Sequence, residues 1–149
     1  HGVRRIVFAS SNHAIGLYPV EQTLARFTRQ TGIMPTLRYQ EAGGAPLPAD
    51  QQLQVLFILQ EALSNVRKHA MASRVDVAIT NGRDFELRIE DDGRGYDASE
   101  VAERTQAHVG LNIMRERAAC LSAQLRLEGH PGQGASVVLR LAEPQRQAA

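Results

Sequence analysis

The chain of 149 residues is long enough for one domain with a hydrophobic core, and its 43% hydrophobic and 22% charged residues are ordinary for a globular protein. Its formal net charge of +1 gives no strong field for nucleic acid or an anionic membrane surface, so we expect neither as a partner. The single cysteine, Cys120, excludes an internal disulfide, and no apolar stretch approaches the roughly 18–20 residues that a membrane span needs.

The N-terminal part of the chain combines a linker with a first helix. We expect residues 1–18 to be a linker from an upstream part of a longer protein, because the chain opens on His1 rather than Met and no signal sequence follows. The segment 19–32 predicts an amphipathic helix, in which Pro19 suits the first turn and Gly32 the C-terminal cap. Downstream, periodicity and turn residues predict a strand at 34–40, a loop at 41–50, a helix at 51–70 capped by Asp50, strands at 74–80 and 85–91 joined by Asn81-Gly82, a helix at 111–121, and strands at 124–129 and 135–142.

The order of these elements indicates the fold class. Helices and strands are mixed, the later strands come in hairpin-length pairs, and the strict strand–helix alternation of a doubly wound parallel sheet is absent. We therefore predict an α+β fold: a two-layer α/β sandwich with a mixed, mostly antiparallel sheet and helices on one face. We place this domain at 19–142, with a C-terminal tail at 143–149 that we expect to fray.

The end of the long helix, "EALSNVRKHA" (61–70), carries unusual polar residues for a core helix. At about 100° per residue, Glu61, Asn65 and Lys68 share a sector of roughly 60°, and His69 lies beside it. A solvated face with a Glu–Lys pair is one interpretation. The asparagine favours another, because it is only a modest helix former and its amide oxygen is a neutral ligand for a hard cation.

Two glycine-containing segments are further candidates for a ligand site. "EDDGRGYD" (90–97) follows a strand, so its glycines either end the strand in a turn or let the backbone approach a ligand. Dinucleotide and P-loop motifs are excluded because a third glycine and a Gly-Lys pair are missing, and one cysteine with scattered histidines excludes a structural zinc site. Gly110 is predicted to begin a helix, which makes it either an ordinary helix start or an anion site.

Four segments together resemble a known family. In order and spacing, "EALSNVRKHA", "DDGRGYD", "VGLNIMRERA" and "GQGASVVLRL" are similar to the nucleotide-binding boxes of the sensor histidine kinase ATP-binding domain, in the GHKL superfamily of gyrase, Hsp90 and mismatch-repair ATPases. The "GLxxMRERA" pattern resembles the nitrate/nitrite-sensor-type subfamily. The resemblance covers about residues 50–142 and, more loosely, 15–33. It implies a two-layer sandwich that holds ATP and Mg²⁺ between helices and sheet.

The resemblance also implies roles for residues of the long helix. Asn65 matches the magnesium-binding asparagine of the first box, and Glu61 matches its leading acid, which positions a water or polarises the metal shell. Lys68 and His69 match phosphate-facing positions of the same box.

The other boxes imply the base and phosphate contacts. Asp91 matches the aspartate that accepts a hydrogen bond from the exocyclic amine of adenine, with Gly93 and Gly95 leaving room for the base. Residues 97–109 match a mobile lid. Two backbone N–H groups, those of Gly110 and Leu111, would face the phosphates.

Two departures from the family pattern matter. Ala135 stands where the family often has threonine near the adenine, so one hydroxyl contact is lost. No histidine in this chain is followed by an acidic residue, so we expect the phosphoacceptor histidine to lie outside it.

The resemblance therefore implies a protein histidine kinase domain that binds Mg·ATP and donates the γ-phosphate to a histidine on a separate dimerisation domain. It implies a homodimeric parent, an indirect response-regulator partner and a cytoplasmic location, whether or not the parent is anchored in a membrane. Two alternatives stay open. One is an ATP-hydrolysing conformational switch with Glu61 as base, and the other is a non-catalytic interaction module that keeps the fold.

Overall fold

The structure, a computed structural model, describes residues 4–7, 17–95 and 105–145, with side chains described for 19–95 and 110–145. The predicted lid lies partly outside these residues, since only 105–109 of it are described, as helical backbone. Among the described residues, no helix has both the length and the apolar character that crossing a membrane requires. The elements in chain order are β1 (Arg4–Val7), α1 (Leu17–Thr31), β2 (Thr36–Glu41), α2 (Ala49–Asn65), a π-helical turn (Val66–Ala70), β3 (Val75–Asn81), β4 (Phe85–Asp91), α3 (Thr105–Cys120), β5 (Gln124–Gly129), β6 (Ala135–Leu141) and a 3-10 turn (Glu143–Gln145).

The strands form one mixed sheet of six strands in the order β1-β2-β3-β4-β6-β5. The pairs β1–β2 and β2–β3 are parallel, whereas β3–β4, β4–β6 and β5–β6 are antiparallel. The two predicted hairpins are present, and β3 and β4 align from Val75 opposite Asp91 to Asn81 opposite Phe85. β1 lies inside the predicted linker and was not predicted as a strand.

Alternation along the strands explains why the helices cover only one face. In β3 and β4 the buried residues alternate with partly or fully exposed ones, and all of the buried residues except Asn81 are valine, isoleucine, leucine or phenylalanine. The buried strand residues form a single cluster with apolar residues of α1, α2 and α3. The opposite face of the sheet carries exposed charges such as Arg38 and Arg88. The predicted two-layer α/β sandwich is confirmed.

The chain ends of the domain are held by specific contacts. Gly32 caps α1 with φ +78°, and its N–H donates to the carbonyl of Thr28 at 2.7 Å, as the sequence predicted. The predicted frayed tail is ordered at its start, because the backbone N–H of Glu143 donates to Asp84 Oδ1 at 2.9 Å. Gln51 Nε2 donates to the carbonyl of Gln145 at 3.2 Å, which ties the 3-10 turn to α2.

Candidate functional site

The polar side chains of Glu61 and Asn65 on α2 face α3, and the two helices run in opposite directions. A Cβ built on Gly110 would lie 2.8 Å from Glu61 Oε1 and 2.9 Å from Asn65 Oδ1, so the glycine backbone rests directly on these two side chains. Two helical turns further along α3, the Arg117 guanidinium lies 4.4 Å from the centre of the Phe57 ring. It also donates to Gln54 Oε1 at 3.2 Å. The cation–π contact and the hydrogen bond therefore hold α3 on the same α2 face that carries the candidate metal ligands.

The C-terminal end of α2 differs from the prediction of one α-helix over 51–70. α-Helical geometry ends at Asn65, and residues 66–70 form a π-helical turn that stops at Met71 in the left-handed conformation, with φ +52°. A π-turn bonds i to i+5, so each residue advances by less than 100° around the axis. Lys68 is therefore not in the sector of Glu61 and Asn65 that α-helical spacing predicted, and its side chain is exposed. His69 is half-buried, with Nε2 out of contact with solvent.

The adjacent carboxylates Asp91 and Asp92 have different surroundings. Burial raises the pKa of Asp91, and the backbone N–H of Gly93, which donates to Asp91 Oδ1 at 2.9 Å, partly opposes that rise. Asp92 is exposed and accepts from the Ser73 hydroxyl at 2.6 Å and from the backbone N–H groups of Ser73 and Arg74 at 2.8 and 2.7 Å. The hydroxyl bond and the Arg74 N–H hold its pKa below the usual range. Asp92 thus orients the residues that precede β3, whereas the Asp91 carboxylate is half-buried and accepts from the backbone N–H groups of Gly93 and Ala135.

The glycines around Asp91 allow backbone to touch backbone. A Cβ on Gly93 would overlap the carbonyl of Ala70, and one on Gly95, which has φ +66°, would overlap the carbonyl of His130. A Cβ on Gly134, which has φ +79°, would overlap the carbonyl of Asp91 in the same way. The turn after β4 is therefore pressed against both the end of the π-turn and the β5–β6 loop. This contact gives a reason for Gly93 and Gly95 in addition to the predicted space for a base.

α3 begins earlier than the sequence predicted. It starts at Thr105, so Gly110 is the sixth residue of the helix and not its first, and the prediction of a helix start at Gly110 is wrong. Only the first four N–H groups of an α-helix lack an intrahelical acceptor. The N–H groups of Gly110 and Leu111 are therefore bonded within the helix in this structure. Leu111 is buried in the core.

The donor chemistry fits a magnesium ion held mainly by phosphate. In the part of the chain with described side chains, no group of three or more His, Cys, Asp and Glu residues is arranged to hold a metal by itself. The oxygens of Glu61 and Asn65 instead converge beside Gly110. One or two protein oxygens of this kind, completed by phosphate and water, are typical of Mg²⁺ sites that act on nucleotides.

Sequence analysis did not identify two residues of this region. Arg94 contacts the π-turn, 25 residues away in the chain, and Arg117 contacts α2, 60 or more residues away. The only local signals were the position of Arg94 between two glycines and the spacing of seven residues between Gly110 and Arg117, which puts them on one helix face.

The fold is a two-layer α/β sandwich, and the candidate site residues lie on α2, on the π-turn, on α3 and at the end of β4. The same fold occurs in the histidine kinase domain of a blue-light-activated kinase from Erythrobacter litoralis (TM-score 0.65, 21% identity, 93% of this chain and 71% of that chain). It also occurs in the histidine kinase AdeS from Acinetobacter baumannii (TM-score 0.63, 15% identity, 85% of this chain and 64% of that chain).

The family follows from the sequence comparison. Residues 50–145 match the family described as histidine kinase-, DNA gyrase B- and HSP90-like ATPase, and the chain belongs to this family. It is 32% identical over 144 residues to the histidine-protein kinase/phosphatase DegS of Brevibacillus brevis, covering 93% of this chain and 36% of DegS. It is 32% identical over 126 residues to the nitrate/nitrite sensor NarX of Escherichia coli, covering 83% of this chain and 20% of NarX. The chain thus spans about a third or less of these relatives' length.

Proposed function

We propose that this chain is the catalytic domain of a sensor histidine kinase, which binds Mg·ATP and donates the γ-phosphate to a histidine on a separate dimerisation domain. The observation that supports this most directly is the convergence of the Glu61 and Asn65 oxygens beneath Gly110. Asn65 would be the direct metal ligand, and Glu61 would orient a water of the metal shell. When bound, Mg²⁺ supplies neutralisation of the charge on the β- and γ-phosphates.

The phosphate contacts come from the π-turn and from α3. Lys68 is exposed on the π-turn that directly follows Asn65, where its positive charge would meet the phosphates, and His69 follows it on the same turn. Gly110 and Leu111 can donate N–H groups to phosphate only after residues 105–109 open, because their N–H groups are bonded within α3 in the closed helix. ATP binding would then be coupled to the opening of this first turn.

The base would be recognised by Asp91. Backbone N–H groups of Gly93 and Ala135 hold this carboxylate in place, and it would accept a further hydrogen bond from the exocyclic amine of adenine. A carboxylate has no proton to offer, and guanine presents a carbonyl at the same position. We therefore expect ATP to bind at least ~10-fold more tightly than GTP, since an unmet or repelled buried hydrogen bond costs roughly 1–3 kcal/mol.

The reaction itself needs little chemistry from this domain. Binding at three separated points, the base, the phosphates and the metal, aligns the γ-phosphate for attack by an external imidazole. We propose that this imidazole belongs to the dimerisation domain of a homodimeric parent and that a response regulator receives the phosphate afterwards. The proposal places the domain in the cytoplasm, where ATP is available.

The test is nucleotide binding by calorimetry, with and without Mg²⁺, followed by transfer to the parent's dimerisation domain. Asp91→Ala should abolish binding of ATP and adenosine, whereas Asn65→Ala should weaken Mg·ATP binding and spare adenosine. Asp76→Ala, which removes a partly exposed carboxylate from β3, is the matched control and should bind like the wild type. Near wild-type affinity of Asp91→Ala would contradict the adenine assignment. Rapid hydrolysis without transfer would favour the conformational-switch alternative instead.

A further inference from the structure

Arg94 joins the two halves of the site through three hydrogen bonds. Its backbone N–H donates to the carbonyl of Ala70 at 2.7 Å, and its side-chain Nε donates to the carbonyl of His69 at 2.6 Å. Its own carbonyl accepts from the N–H of Gly132 at 2.6 Å. The residue between the two glycines therefore contacts the π-turn on one side and the β5–β6 loop on the other.

Two of these hydrogen bonds satisfy carbonyl groups at the C-terminal end of the π-turn. The last four carbonyls of a helix have no intrahelical donor, and the negative end of the helix dipole favours a cation there. The π-turn ends at Ala70, and Met71 then adopts a left-handed conformation at 86% exposure. The guanidinium of Arg94 donates to the carbonyl of His69 at this end, and its backbone N–H donates to the next carbonyl, that of Ala70. The cap is supplied from the turn after β4 and not from the helix's own chain neighbours.

We propose that Arg94 is a positioning residue, whose guanidinium fixes the π-turn and thereby the phosphate-facing side chains of Lys68 and His69. This inference rests on the proposed function. The adenine contact does not depend on the guanidinium, because Asp91 is held by the N–H of Gly93. The backbone hydrogen bonds of Arg94 survive any substitution except proline. Loss of the side chain therefore loosens the phosphate half of the site and leaves the base half in place.

The experiment compares ligands with and without phosphate. For Arg94→Ala we expect the affinity for Mg·ATP and ADP to fall about 5-fold and the affinity for adenosine to change less than about 2-fold, the size of one partly exposed charge-assisted hydrogen bond. Arg94→Lys keeps a cationic donor and should recover the ATP affinity to within about 2-fold of the wild type. Arg126→Ala removes another exposed arginine, on β5, and is the matched control.

A second measurement separates this inference from the proposed function. Without any nucleotide, amide exchange of residues 66–72 should be about 5-fold faster in Arg94→Ala than in the wild type or in Arg126→Ala. Equal losses for ATP and adenosine, or unchanged ATP affinity, would overturn the positioning role, and so would an Arg94→Lys variant as weak as the alanine variant. If Arg94→Ala exchanges faster but the wild-type protein binds no ATP, the capping role of Arg94 is supported and the proposed function is refuted.

Discussion

Gly110→Ala separates the stability of the domain from its proposed metal site. The added Cβ would lie 2.8 Å from Glu61 Oε1, 2.9 Å from Asn65 Oδ1 and 3.3 Å from Asn65 Nδ2. These atoms are the ends of flexible side chains, so the conflict is relieved by rotating the carboxylate and the amide rather than by moving α3. The two groups that the proposal assigns to the metal are therefore the ones that must give way.

The expected effects on folding and binding differ in size. Alanine in place of glycine inside a helix gains roughly 0.5–1 kcal/mol, and a tight contact costs about 1–3 kcal/mol, less where flexible side chains can rotate. We expect the free energy of unfolding to change by no more than about 1 kcal/mol, or about 2–4 °C in Tm. Displacing the amide oxygen from the metal should cost about 1–2 kcal/mol, which is roughly 5- to 30-fold in Mg·ATP affinity.

The assay pairs thermal unfolding with calorimetric titration of Mg·ATP and adenosine. Gly82→Ala is the control, because a Cβ there would find its nearest neighbour at 3.6 Å, an ordinary contact. We expect adenosine binding to be unchanged in both variants. Wild-type affinity of Gly110→Ala for Mg·ATP would refute the placement of the metal at Asn65. A drop in Tm of more than about 8 °C would refute the argument that only side chains move.

Three further predictions concern the acidic turn and the helix contact. Burial raises the folded-state pKa of Asp91, so the free energy of unfolding falls as pH rises from the ordinary aspartate pKa through the raised pKa. Asp91→Asn should therefore unfold at a higher temperature than the wild type at pH 7 and lose that advantage below about pH 4. The pKa of Asp92 is lowered instead, so the stabilisation that it contributes is present at neutral pH and disappears in acid. In urea titrations, Asp92→Ala should lower the free energy of unfolding by about 1 kcal/mol at pH 7 and leave it unchanged at an acid pH where the wild-type carboxylate is protonated. Arg117→Ala removes the contact with the Phe57 ring and should cost about 0.5–1 kcal/mol, whereas Arg115→Ala, an exposed neighbour on α3, should cost nothing measurable by thermal unfolding.

The sequence predicted the fold well where short-range patterns determine structure. The hairpins β3–β4 and β5–β6 follow from strict alternation around turn residues, and α1 follows from its periodicity and the cap at Gly32. β1 was missed because four residues are too short to show a period, and its pairing with β2 depends on a parallel partner more than 30 residues away. Parallel pairing leaves no turn signal in the sequence.

The site residues stay a prediction, and the structure differs from the sequence-based expectation in their local geometry. Asn65 and Asp91 were identified by resemblance, and they lie at the ends of α2 and β4. The π-turn was missed because residues 66–70 have good helical composition, and only the closing hydrogen-bond pattern distinguishes the two kinds of helix. The earlier start of α3 was missed because a glycine favours a helix end by its local conformation, whereas here its lack of a side chain matters for contact with α2.

The pairing of β1 with β2 has a consequence for the colloidal behaviour of the protein. From Arg4 opposite Thr36 to Val7 opposite Tyr39, β1 satisfies the outer hydrogen-bonding groups of a strand whose Leu37 and Tyr39 are fully buried. Where β1 detaches, β2 becomes a sheet edge with unpaired N–H and C=O groups, and such an edge accepts strands from other chains. Shortened forms that begin after Val7 should therefore self-associate at concentrations where the longer chain stays monomeric. The four residues of β1 would thus protect the protein against aggregation.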